Sequence, residues 1–394
     1  MIVMITKIRI RNFRSFKDIT VKLKPFNVLI GPNDSGKSNF LDAFRVISDM
    51  MLSRLDNVFF VPFQSFNALV FQGAQNKTIS FDVEGKTRTA DRQEPFEFEY
   101  SVEISPNKKG ALHIPTERLK IKRAGAKKCQ YINRTGEITK VREETNNRKR
   151  SVLYHFDSDK CAVSLLSDIK RHAYIRAVRH ELGFSWLYKF QPSKMNSPVE
   201  KKEKGSIDVI LSEDGSNLGE VLFYLQENCP DKFKNLKNSL KDAIPSVEDL
   251  KVTLIEKLIF VFIKQHYNGQ LLKLNLKSVS DGLLRFLGIL SVVYNPATPS
   301  ILLFEELENG IHPRRLQTAV NLIRFLSQFS QVFVTTHSPY LVDCVASEDV
   351  LVVDKSPVGF TTIKPIRDKL GISKLLDEFS LGEAWFSGAL GGIP

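Results

Sequence analysis

The stretch GPNDSGKSNFLDAFR, residues 31–45, constrains the fold more tightly than any other part of this chain. Gly31 to Ser38 reads G-x-x-x-x-G-K-S, and the apolar run FNVLI leads into it. Leu41, Phe44, Ile47 and Met51 then recur at helical spacing, which predicts a helix with one apolar face. A strand, a glycine-bracketed loop and a helix together turn backbone N–H groups toward anionic oxygens, and the helix N-terminus adds its positive end. In such a loop Gly31, Pro32, Asn33, Asp34, Ser35, Gly36 and Asn39 frame the phosphates. Lys37 reaches the outer phosphates and Ser38 ligates Mg2+. The expectation is a phosphate loop on an α/β sheet rather than a polar turn.

Three later segments join it. SILLFEELENGIHP (300–313) is an apolar strand ending in Glu305 and Glu306, a pair suited to a metal shell and to deprotonating water. VFVTTHSPYLVD (332–343) puts His337 at the end of another buried-type strand, where ligands sit in open α/β sheets. KSVSDGLLRFLGIL (277–290) opens an apolar helix with Ser280 and Gly282, again an anion-binding end. Each has an ordinary alternative: a solvated strand end, a histidine bonding its own turn, a plain helix cap. Their company gives them weight.

Composition sets the frame. The chain has 394 residues, 42% hydrophobic and 25% charged, so it can bury a large core and reads as globular. Its start carries Lys7, Arg9 and Arg11, and its longest apolar runs, such as LIFVFI (258–263), are too short to cross a bilayer. A cytoplasmic location with no membrane partner is expected. Four scattered cysteines suggest neither zinc nor a disulfide framework. Net charge is +12, and residues 117–150 hold twelve Lys/Arg against four Glu. That segment is either a nucleic-acid-binding patch or a solvated loop.

Alternation predicts strands at 5–23, 78–84 and 96–104, with short strands in LHIP and QYIN. Residues 191–206 read as a surface loop, and Asn217 with Glu220 as a helix capping pair.

In this order the parts resemble the ABC-type ATPases of the SMC/RecF/OLD group, closest to stand-alone bacterial OLD-like ATPases of the AAA family associated with anti-phage defence. TKIRIRNFRSFKD looks like the opening strand, GPNDSGKSN the Walker A, SVSDGLLRF a divergent signature, ILLFEELENGIHP the Walker B with its D-loop, and VFVTTHSP the switch-histidine strand. The resemblance covers roughly 1–80 and 206–345. It departs from the group at Leu307, where a proline is common, and at Asp281, where a second glycine is usual.

The resemblance implies a P-loop NTPase of ABC ATPase type with an antiparallel β-rich first lobe. The discontinuous head would span 1–80 and 206–394, and a basic β-rich insertion 81–205. Within it, Glu305, Ser38 and Gln72 would hold Mg2+, with Gln72, or Gln75 close behind it, as the Q-loop residue, while Glu306 acts as the base and His337 senses the γ-phosphate. Ser280 and Gly282 of a second copy would cover ATP, closing a homodimer that gates a separate effector protein. A RecF-like DNA-repair ATPase is the alternative, and a transporter subunit a weaker one. No sustained heptads appear, so no long SMC-type arm is expected. After the histidine strand comes LGEAWFSGALGGIP, and the appended nuclease domain of the OLD enzymes is not expected, so in a defence role a separate effector is expected to do the cutting or killing. The tail's Trp385 and Phe386 would dock a partner or pack on the core.

Overall fold

In a computed structural model of the chain, residues 4–63, 65–91, 93–145, 148–167, 172–201, 209–368 and 372–390 are described. Strands β1 (Met4–Phe13) and β2 (Phe16–Lys22) form a hairpin; β3 (Phe26–Ile30) leads through the glycine loop into α1 (Lys37–Leu52), followed by α2 (Leu55–Phe63). A meander of β4 (Ile79–Arg88), β5 (Pro95–Pro106), β6 (Leu112–Arg123), β7 (Cys129–Thr135), β8 (Ile138–Thr145) and β9 (Arg148–His155) comes next. Then follow α3 (Ala162–Leu166), α4 (Ala173–Gly183), β10 (Ser185–Tyr188), α5 (Pro192–Met195) and β11 (Val199–Glu200). Helices α6 (Leu218–Asn228) and α7 (Pro230–Ala243) precede β12 (Val247–Ile255), β13 (Leu258–Tyr267) and β14 (Gln270–Asn275). The remainder alternates: α8 (Asp281–Val293), β15 (Ile301–Phe304), α9 (Pro313–Leu326), β16 (Gln331–Thr336), α10 (Pro339–Val342), β17 (Val350–Lys355), β18 (Thr361–Pro365), α11 (Ile372–Glu378) and α12 (Leu381–Phe386).

Three sheets result. The eight-stranded antiparallel sheet runs β2-β1-β4-β5-β6-β7-β8-β9, and the six-stranded sheet runs β10-β15-β16-β3-β17-β18. A third, smaller sheet joins β12 to β13, with β11 and β14 on the other side of β13. In the six-stranded sheet β10, β15, β16, β3 and β17 are parallel, so all their carboxyl ends lie along one edge.

That sheet is the wall between two cores. Leu29, Leu303 and Phe333 point into one, while Val28, Leu302 and Val334 point into the other, the period of two expected of a strand covered on both faces. Phe44 of α1 meets Phe333 at 4.6 Å, fixing the helix to the sheet. The buried Gln331 side chain joins the sheets: its Oε1 accepts from Ile5 N at 3.0 Å and its Nε2 donates to Ile5 O at 2.8 Å.

Several expectations need correction. The domain boundary at 80/81 falls inside β4, which pairs with β1 from Met4 to Arg11; residues 79–155 extend the first sheet instead of forming a separate insertion, and β10 belongs to the parallel sheet. The other boundary, 205/206, lies outside the described residues. The 191–206 loop contains α5 and β11, with 202–206 outside the described residues. Asn217 makes no cap bond; its Oδ1 accepts from Ser212 N at 2.7 Å instead, because the preceding turn comes closer than the helix end. Trp385 is fully buried against α10, while Phe386 is exposed. No helix among the described residues is long and apolar enough to cross a membrane.

Candidate functional site

Four parallel strands deliver their ends to one edge, and the first residue past each is Gly31 after β3, Glu305 after β15, His337 after β16 and Lys189 after β10. Backbone pairing keeps neighbours level, for Glu305 N donates to Tyr188 O at 2.9 Å. The sheet thereby brings residues 267 positions apart together: Ser38 Oγ donates to Glu305 Oε1. These are the two oxygen ligands expected from the glycine loop and the acidic strand. A hydroxyl beside a carboxylate suits a hard divalent cation such as Mg2+.

The glycine loop is tightly seated. Gly36 caps α1 with φ of 111°, a conformation L side chains rarely adopt. A Cβ there would lie 2.6 Å from Thr361 Oγ1 and 2.8 Å from Ser15 Oγ. Lys37 is buried, and its Nζ donates to Gly31 O at 2.7 Å and Pro32 O at 2.8 Å. Burial pushes its pKa down, against the pull of Glu306, Glu308, Asp34 and Glu305. Asn33 and Asp34 are exposed, whereas the Ser35 hydroxyl is buried without a hydrogen-bond partner among the described residues. Asn39, just inside the helix, accepts from Arg14 Nη1 at 3.0 Å and donates to Ser15 Oγ at 2.8 Å.

Glu306 sits at φ 49°, strained for a non-glycine residue. Its backbone N donates to Thr335 Oγ1 at 3.1 Å, and its Oε2 accepts from Asn309 Nδ2 at 2.6 Å. Two residues on, the nearly buried Glu308 accepts from His337 N at 2.8 Å and lies 3.4 Å from His337 Nδ1. The acidic turn thus also holds the histidine strand's exit. Leu307, where a proline was expected, is buried in the core.

Ser280 and Gly282 do not join this cluster: among the described residues neither contacts the glycine loop of its own chain. Ser280 is exposed and caps α8, accepting from Leu283 N at 3.4 Å. Gly282 lies against the acidic turn, where a Cβ would come within 2.2 Å of Gly310 O. This packing requires glycine there, whatever the helix end meets.

Gln72 is also elsewhere. It lies exposed in a turn tied to β1 by Phe71 N donating to Asn12 O at 3.0 Å, with no bond to Ser38 or Glu305 among the described residues. The strand bordering Glu305 is β10, and the glutamine beyond its end is Gln191. Sequence reasoning missed Gln191 because β10 is only four residues long and too short to show alternation. It also missed Lys189, whose Nζ stands 3.0 Å from Glu305 Oε2 and whose pKa this contact raises, and Arg14, which pairs with Asp42 at 3.0 Å.

The basic segment is partly neutralised. Arg134 is wholly buried beside Glu117, donating to the carbonyls of Gly136, Lys160 and Asp157. Lys122 meets Glu97 at 3.4 Å, Lys128 pairs with Glu99, and Arg150 pairs with Glu143 at 3.0 Å. The glutamates of β5 lie outside the segment counted from sequence. Among the described residues Arg118, Lys120, Lys127 and Lys140 keep no ion-pair partner.

A parallel sheet whose edge holds a glycine loop, an acidic strand end and a histidine strand, with an antiparallel sheet alongside, defines a P-loop ATPase head. The solved Smc head bound to the C-winged helix domain of ScpA has this fold, at a TM-score of 0.53 and 13% identity over 91% of this chain and 97% of that one. The chain belongs to the family described as "AAA domain, putative AbiEii toxin, Type IV TA system", whose profile matches residues 26–343. It is also similar to the "Retron Vc95 probable ATPase" of Vibrio cholerae serotype O1 biovar El Tor, 22% identical over 412 residues, 93% of this chain and 77% of that protein.

Proposed function

We propose that this chain binds ATP with Mg2+ and hydrolyses it, as a nucleotide-driven switch that closes between two copies and gates a separate effector. The contact of Ser38 with Glu305 is the observation that carries this reading, because it brings together a hydroxyl and a carboxylate from two distant motifs, a pair suited to one cation.

Mg2+ on the Ser38 hydroxyl and the Glu305 carboxylate would neutralise charge on the β- and γ-phosphates. Lys37 gives up its two loop carbonyls for phosphate oxygens, and its burial sharpens that attraction. Glu306, held by Asn309, takes the proton of the attacking water. His337, anchored through Glu308, faces the γ-phosphate. Gln191 takes the role first assigned to Gln72, since it lies just beyond the strand that borders Glu305. The exposed start of α8 supports completion in trans: Ser280 and Gly282 of a second copy cover the nucleotide. A role in anti-phage defence is supported by the resemblance to defence ATPases and by the retron ATPase of Vibrio cholerae.

Two variants test the reading. Lys37→Ala is expected to abolish binding of a fluorescent ATP analogue. Glu306→Gln is expected to bind ATP, to lose at least about 100-fold in turnover, and to accumulate as an ATP-dependent dimer in light scattering. Normal turnover by Glu306→Gln would refute the assigned base, and unchanged affinity in Lys37→Ala the phosphate loop.

A further inference from the structure

The third sheet is a two-layer unit with one covered face. Ile259, Val261 and Ile263 of β13 are buried in the core that also holds Leu222, Leu225, Leu236 and Leu240 of α6 and α7. The residues between them, Phe260 and Phe262, point the other way and are half-buried, with rings stacked at 6.3 Å and 12°. Around them Ile255, Leu258 and Leu271 are 48, 42 and 49% exposed.

Register places the charge. Lys251 stands opposite Phe262, and Lys273 opposite Lys264, so all three lysines share the face of the two rings. None of the three has an ion-pair partner among the described residues. Lys273 Nζ sits 4.0 Å from the centroid of the Phe262 ring, so the ring and the ammonium group already share one side of the sheet. Asp249 on this side is paired with Lys237, and Glu200 lies at the far end opposite Leu258.

We propose that this face is a platform for single-stranded nucleic acid. Every base has a π face that stacks on an aromatic ring, while phosphodiesters neutralise the lysines. Flat rings on an open sheet cannot reach bases inside a duplex, so the strand must be single. An apolar partner helix would bury three unpaired ammonium groups, and a second copy of the face would set lysine against lysine. In the basic segment at 117–150, Lys122, Lys128, Arg134 and Arg150 are already answered by glutamates. A short turn leads from β14 toward Ser280: Asn275, which ends β14, accepts from Lys277 N at 3.0 Å and Ser278 Oγ at 3.1 Å.

The test uses the full chain and a fluorescent 20-nucleotide oligothymidylate, followed by anisotropy without ATP, so it is independent of the ATPase reading. Replacing Phe260 and Phe262 together by Leu keeps apolar volume and removes the rings; it is expected to weaken binding at least about tenfold. Replacing Lys251, Lys264 and Lys273 by Gln should reduce the slope of log affinity against log salt by about 2. A duplex of equal length should bind more weakly and ignore the Leu pair. The proposal is overturned if the wild-type chain fails to bind, if both variants bind as it does, or if replacing Lys120 and Lys127 alone removes binding. A Leu pair that changes only the oligomeric state would make the face an interface between copies and would equally refute it.

Discussion

Glu306 shows what single residues contribute. Its left-handed backbone, with φ of 49°, costs about 1–2 kcal/mol. Thr335 and Asn309 hold it there at the mouth of the parallel sheet. Glu181 of α4 is a different case: burial in the core pushes its carboxyl up to about 8, and its Oε1 has no hydrogen-bond partner among the described residues. The folded chain therefore keeps a proton that the unfolded chain releases above the ordinary carboxylate range. Folding stability is fully supported below that range and falls as pH rises toward 8, by about 1.4 kcal/mol per pH unit crossed. Glu181→Gln is expected to match the wild type in thermal unfolding at pH 4 and to exceed it in Tm at pH 8. Parallel Tm profiles for the two proteins would refute that protonation. None of this was legible in YIRAVRHELG, because only the packed core reveals which helix face loses water.

At the scale of elements, the glycine loop is supported by the β17–β18 hairpin. Thr361, fully buried, donates to Ser35 O at 2.7 Å and contacts Ser15 Oγ at 2.8 Å. Thr361→Val keeps the shape and removes both bonds, each worth about 1 kcal/mol. It is expected to raise the Kd for ATP severalfold while Thr361→Ser stays near wild type; equal affinities for all three would dismiss the hairpin as a support. The elements themselves were largely readable. FNVLI, SILLF and QVFVTT are strands and the amphipathic runs at 37–52 and 281–293 are helices, because burial on one or both faces writes itself into spacing. The extension of the first sheet through residues 79–155 was not readable, since which strand borders which is set by long-range pairing. Charge suffered likewise: counting along 117–150 cannot see Glu97 and Glu99 arriving from a neighbouring strand.

For the whole molecule, the question is how two chains would share a site. The exposed start of α8 and the glycine loop do not meet within one chain, which fits the proposed head-to-tail pair. Lys37→Ala and a bulky change such as Ser280→Arg should each abolish turnover alone. Mixed together, they are expected to recover part of it, because one composite site in each mixed pair keeps both intact residues. No recovery on mixing, with each variant folded by circular dichroism, would argue for sites completed within one chain.

The sequence alone determined the phosphate loop, the acidic and histidine strand ends and the alternation of the central strands. Those are local patterns, dictated by backbone geometry over a few residues. Only the tertiary structure decided that Ser38 meets Glu305, that β10, with Gln191 beyond its end, is the strand bordering Glu305, and that Lys251, Lys264 and Lys273 share one face of the β12–β14 sheet. Those facts depend on strand order and register, which join residues far apart in the chain and leave no trace in spacing.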